Sequence, residues 1–112
     1  MPLSKEPYRW FAEGLKQWEL RKYGRQYTER HVRVGRKVEL RRGYSTRESL
    51  WGVITEIVLA PNLHDFFAKV DYKIVVPVAT SEKEAIQIAE KILRIPSHSG
   101  TPVFAFRVDI AA

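Results

Sequence analysis

The chain has no cysteine. Disulfides and thiolate metal sites are therefore excluded, and nothing points to the cysteine-dense scaffold of a small secreted domain. Long apolar runs are missing too: no stretch approaches the roughly 18 residues that a membrane-spanning helix requires. The first residues, Met1-Pro2-Leu3-Ser4-Lys5-Glu6, hold no apolar segment of the kind a secretory signal carries. A cytoplasmic location and no membrane partner are the expectations. Gly24, Gly35, Gly43 and Gly52 are isolated, so no glycine-rich phosphate loop is present, and there is no Gly-x-Ser-x-Gly elbow. His31, His64 and His98 are far apart and lack metal-ligand spacing. No metal and no cofactor are expected. Without repeats, linkers or low-complexity tracts, the 112 residues are expected to form one domain, 1–112.

What the chain does have is apolar residues enough for a core and an uneven charge. A hydrophobic content of 45% argues against disorder. The net charge is +6, and its placement says more than its size: residues 1–50 hold 13 Lys/Arg against 6 Asp/Glu, whereas residues 51–112 hold 6 against 7. Within residues 21–47 there are 10 basic residues and 2 acidic ones, with Tyr23, Tyr27 and Tyr44 interleaved. Basic groups attract phosphates and aromatic faces stack on bases. A solvated basic face that merely aids solubility has the same appearance in sequence.

Periodicity predicts the elements. Pro7 suits the first turn of a helix over residues 7–13, with Tyr8, Phe11 and Leu15 at helical spacing. Gly14 is placed to end that helix in a left-handed conformation. Residues 17–22 alternate as a strand, residues 23–33 form a polar basic loop, and residues 37–41 alternate with Val38 and Leu40 facing inward. Residues 42–49 form a second polar loop. Residues 50–59 are apolar on both parities, which predicts a central, heavily buried strand. A short helix is expected from Pro61 to about residue 68, with His64 and Asp65 exposed on it. Residues 72–78 read as a β-like run broken by Pro77. Ser81 and Glu84 form a capping box for a helix whose buried stripe is Ala85, Ile88, Ala89 and Ile92. A last strand spans residues 103–110. Several short strands with three helices predict an α+β domain built on a partly open, mixed β-barrel.

The most informative segment is Gly14-Leu15-Lys16-Gln17-Trp18-Glu19-Leu20-Arg21, which reads Gly-x-Lys-x-x-Glu-x-Arg. On a strand, Glu19 and Arg21 share one face while Trp18 and Leu20 point the other way, into a core. Lys16 lies at the turn. This spacing resembles the signature of the ASCH domain family, a branch of the PUA-like superfamily. The likeness extends to the preceding short helix, to the Val34-Gly35-Arg36-Lys37-Val38 stretch, and to the late helix with its closing strand. The resemblance implies a PUA-like barrel with about three flanking helices.

The chemistry of these side chains leaves alternatives open. Near another cation and out of water, Lys16 loses proton affinity and becomes a base or nucleophile. Paired with Glu19 it stays an ammonium ion suited to holding a phosphate or a carbonyl oxygen. Arg21 is the candidate for a planar, bidentate contact to a phosphate. In one reading Lys16, Glu19 and Arg21 line the floor of a cleft whose wall is Arg41, Arg42, Tyr44 and the loop carrying Arg25, Arg30 and Arg33, and RNA or a nucleotide-like ligand binds there. In another, Lys16, Glu19 and Arg21 are catalytic. The resemblance implies amidohydrolase action on acylated cytidine, with threonine replaced here by Glu19 and a further acid drawn from Glu56 or Glu82. It also implies RNA cleavage, aided by hydroxyls from Tyr23, Tyr44, Ser45 and Thr46. A third reading is an adaptor whose positive charge attracts an acidic protein partner.

Overall fold

The computed structural model describes residues 1–43, 48–96 and 100–111. Tyr44, Ser45, Thr46, Arg47 and His98 lie outside the described residues. The chain begins with a two-residue strand, β1 (Pro2–Leu3), and a helix, α1 (Lys5–Ala12). Helix α1 starts at Lys5, ahead of Pro7. The proline still sits in the first turn, where its missing N–H leaves no bond unmade, and Tyr8 makes the first bond, donating to the Ser4 carbonyl at 3.1 Å. Gly14 then adopts φ 75°, the left-handed conformation expected of it. Leu15 N–H donates back to the Trp10 carbonyl at 2.9 Å, which closes the helix.

Four longer strands follow: β2 (Trp18–Lys22), β3 (Lys37–Arg42), β4 (Ser49–Ala60) and β5 (Val103–Ile110). They lie in one sheet of order β1-β3-β4-β5-β2. β1 runs parallel to β3, and every other neighbouring pair is antiparallel. A register shift between Ile54 and Glu56 bends β4. The antiparallel strands curl into a half-barrel, so the architecture is α+β with a partly open, mixed β-barrel and flanking helices α1, α2 (Leu63–Lys69) and α3 (Glu82–Leu93).

Each face of the curled sheet has its own core. On the inner face, Leu40, Ile54, Phe104, Phe106 and Val108 pack with Leu3 and Phe11 of the N-terminal segment. Tyr27 and Val32, from the loop between β2 and β3, close over this cluster. On the outer face, Trp18, Leu20, Ala60, Val103 and Ala105 pack beneath α2 and α3.

Four sequence expectations are corrected. Residues 72–78 are not a strand: Tyr72–Ile74 form a 3₁₀ turn capped by Asp71, whose side chain accepts from Lys73 N–H at 3.0 Å. Val75 and Val76 are buried because they pack into the outer core, not because they pair. β4 is central but not covered on both faces. Helices α2 and α3 reach only one end of the outer face, which leaves Trp51 54% exposed and Val53 exposed beside it. Ile92 does not belong to the buried stripe of α3: Ala85 and Ala89 are buried, while Ile92 is 56% exposed. Leu15 is exposed as well, because Gly14 turns the chain before it can continue the apolar face of α1.

Candidate functional site

The turn at Gly14 decides where Lys16 goes. Lys16 N–H, like that of Leu15, donates to the Trp10 carbonyl (3.1 Å), and Gln17 N–H donates to the Ile74 carbonyl (2.8 Å). The segment from the turn into β2 is thereby pinned between α1 and the 3₁₀ turn. The Lys16 side chain enters the interior with 6% exposure. Its Nζ donates to the Val75 carbonyl at 2.6 Å and lies 5.5 Å from the centre of the Phe11 ring. The irregular backbone after Ile74 supplies this acceptor.

Glu19 is also buried, at 6% exposure. It pairs in register with Phe106 on β5, and Arg21 pairs with Phe104, so both side chains stand on the inner face of the sheet. The carboxylate links the two cations. Oε1 lies 3.9 Å from Lys16 Nζ, and Oε2 accepts from Arg21 Nη2 at 3.1 Å. Oε1 also accepts from the backbone N–H of Leu20 at 3.0 Å. The Arg21 guanidinium stacks over the Tyr27 ring at 4.9 Å. The motif is thus one connected series: Phe11, Lys16, Glu19, Arg21, Tyr27.

The electrostatics follow from this geometry. Burial lowers the Lys16 pKa to about 8; Glu19 partly opposes the shift and Arg21 adds to it. The two sequence alternatives for Glu19 are realised together, with the hydrogen bond going to Arg21 and a longer ion pair to Lys16. Among the described clefts only Arg21 of this series, with Tyr27 beside it, reaches an open one, and Lys16 lines none of them. Lys16 and Arg21 do not open together into one of these clefts, because the Gly14 turn tucks Lys16 under the 3₁₀ segment.

The cleft that Arg21 reaches has a volume of about 620 Å³. It lies between the start of the β2–β3 loop and the C-terminal end of α3. Arg21, Lys22, Arg25 and Arg94 bring four positive charges to its lining, and no carboxylate lines it among the described residues. Tyr23, Tyr27, Ile92 and Leu93 add aromatic and apolar surface. The exposed Ile92 that departs from the buried stripe of α3 is part of this wall. Tyr23 donates its hydroxyl to Glu29 at 3.1 Å. That bond raises the pKa of the phenol above its usual value, so the phenol keeps its proton more firmly.

The remaining sequence candidates are placed apart. Arg30 and Arg33 are exposed on the β2–β3 loop, outside the described clefts. Arg41 and Arg42 lie on β3, separated from β2 by β4 and β5 in the sheet. Arg42 Nε is 3.4 Å from a Glu48 carboxylate oxygen. Tyr44, Ser45 and Thr46 fall outside the described residues. Of the two acids considered downstream, Glu56 pairs with Arg107 at 2.9 Å and Glu82 sits exposed at the start of α3, so neither joins Lys16. Among the described residues no group of His, Asp and Glu is assembled that could hold a metal ion. Sequence reasoning missed Lys22 and Arg94. A signal for Arg94 was present: it follows α3 at a position where helices commonly end on glycine.

No protein-family model matches the chain, and no curated protein matches it significantly in sequence. Two solved structures are similar to it. The crystal structure of hypothetical protein PH0355 superposes with a TM-score of 0.77 at 18% identity, covering 99% of this chain and 96% of that one. The solution structure of protein PF0455 from Pyrococcus furiosus has a TM-score of 0.70 at 19% identity, covering 98% and 94%. At such identities the likeness establishes the fold.

Proposed function

We propose that this is an ASCH-type, PUA-like domain that binds RNA or a nucleotide-like ligand in the cleft beside Arg21. The observation that carries the reading is the lining of that cleft: four cations, two tyrosines and, among the described residues, no acid. Glu19, itself paired with Lys16, holds the Arg21 guanidinium. A phosphate backbone is attracted to such a surface, and the tyrosine faces supply stacking. The volume suits a nucleotide-sized occupant. Arg30 and Arg33 extend the positive potential along the loop.

The test is fluorescence anisotropy with a labelled single-stranded RNA, titrated at low and at high salt. Binding is expected to weaken steeply as salt rises, and Lys22→Ala is expected to weaken it further without loss of fold. Salt-independent binding, or none, overturns the reading.

A second reading is favoured by one observation, the lowered pKa of Lys16 beside Glu19. A lysine that is partly neutral near pH 8 is suited to act as base or nucleophile in a hydrolase acting on an acylated cytidine, or in a ribonuclease. Its burial and its bond to the Val75 carbonyl stand against this. Incubation of the protein with acylated cytidine and with short RNA, alongside Lys16→Met, separates the readings. Turnover that the variant lacks makes the domain an enzyme, and binding without turnover makes it a reader.

A further inference from the structure

Among the described residues, two that are not glycine have positive φ: Arg25 at 53° and Arg94 at 56°. An L side chain is crowded in this conformation, so glycine is the residue it favours. Both positions are ones where glycine is usual. Arg25 is the first of the two residues connecting Gly24 and Tyr27, which bond each other reciprocally at 3.1 and 2.9 Å in a tight hairpin. Arg94 ends α3 with ψ 47°, and the next N–H, from Ile95, reaches back to the Glu90 carbonyl at 3.0 Å. The chain has arginine at both sites against its backbone preference.

Local structure does not account for that choice. Neither guanidinium forms an ion pair or a hydrogen bond among the described residues. Both line the same cleft, one from the β2–β3 loop and one from the end of α3, and the apolar Ile92 and Leu93 line it too. Strain held at two points of one concavity is a mark of function.

We propose that Arg25 and Arg94 form a two-armed clamp for adjacent phosphate groups, as in a pyrophosphate or a phosphodiester chain. This deepens the nucleotide-binding reading and rests on it for the identity of the ligand, though not for the phosphate chemistry. Each planar guanidinium offers a fork of donors matched to two phosphate oxygens. Lys22 and Arg21 add charge without fixing geometry.

The test is the double variant R25G/R94G, with each single variant beside it. Two measurements are made: thermal unfolding, and calorimetric titration with inorganic pyrophosphate and with a short oligouridine. Relief of the backbone is expected to raise the Tm, while affinity for both probes falls about tenfold or more. R25K/R94K keeps the charge and loses the fork, and is expected to recover only part of the affinity. Unchanged affinity in R25G/R94G overturns the clamp and leaves the RNA reading standing. Arginine-dependent binding of pyrophosphate with no binding of oligouridine supports the clamp and overturns the RNA reading. No binding of either probe by the unaltered protein overturns both. A Tm that falls in both glycine variants overturns the claim that these arginines oppose the backbone.

Discussion

Lys16 shows how a single residue ties the fold to its own titration. An unfolded lysine has a pKa of 10.5, and in the folded chain burial lowers it to about 8. Between those values the unfolded chain holds a proton that the folded chain has released. Stability therefore rises with pH across that window, by at most about 1.4 kcal/mol per unit. Urea unfolding of the protein and of Lys16→Met, compared from below pH 8 up to about pH 10, is expected to show the unaltered chain gaining on the variant as pH rises. A constant difference between the two would mean that Lys16 keeps its proton in the fold. The carboxylate of Glu19 limits the shift, since it is the group within 3.9 Å that favours the ammonium form.

At the scale of elements, the pairing of β4 with β5 leaves no room for a side chain at Gly52. Gly52 pairs with Ile110 and faces the inner core. A Cβ built there would lie 2.5 Å from Val108 Cγ1 and 2.8 Å from the Asp109 carbonyl oxygen. The valine can rotate, but the strand backbone cannot retreat without breaking its ladder. Gly52→Ala is therefore expected to destabilise the protein by about 1–3 kcal/mol, the cost of overpacking, read as a lower midpoint in urea. No change in midpoint would show that the two strands separate freely. Helix α3 illustrates a cap that sequence reveals in part. Ser81 Oγ accepts from Glu84 N–H at 3.1 Å as the capping box requires, but the Glu84 carboxylate turns to the N–H and hydroxyl of Thr80, both at 3.2 Å.

For the whole molecule, the relevant quantity is where the charge of +6 is concentrated. Three of the cleft cations, Arg21, Lys22 and Arg25, come from the basic first half. The fourth, Arg94, comes from the second half, in which acids balance bases. The curl of the sheet and the packing of α3 against β2 bring them together. If all four meet phosphates of a single strand, the logarithm of affinity should fall against the logarithm of salt with a slope of about −3. The anisotropy titration at several salt concentrations measures it. A slope near zero would mean that the cleft does not engage a phosphate backbone.

Features that rest on local physics were legible in the amino-acid order alone. Alternation placed β2 and β3, Gly14 marked the end of α1, and Ser81 marked the start of α3, because strand period and cap chemistry act over a few residues. The shared face of Glu19 and Arg21 was legible for the same reason. What lies beneath and beside that face depends on how distant segments pack. Lys16 is buried because an irregular turn 59 residues later in the chain offers it a carbonyl. Trp51 and Val53 are exposed because α2 and α3 cover one end of the sheet. Arg94 joins Arg25 across a cleft because helix packing, which acts between residues far apart in the chain, leaves no periodic trace in sequence.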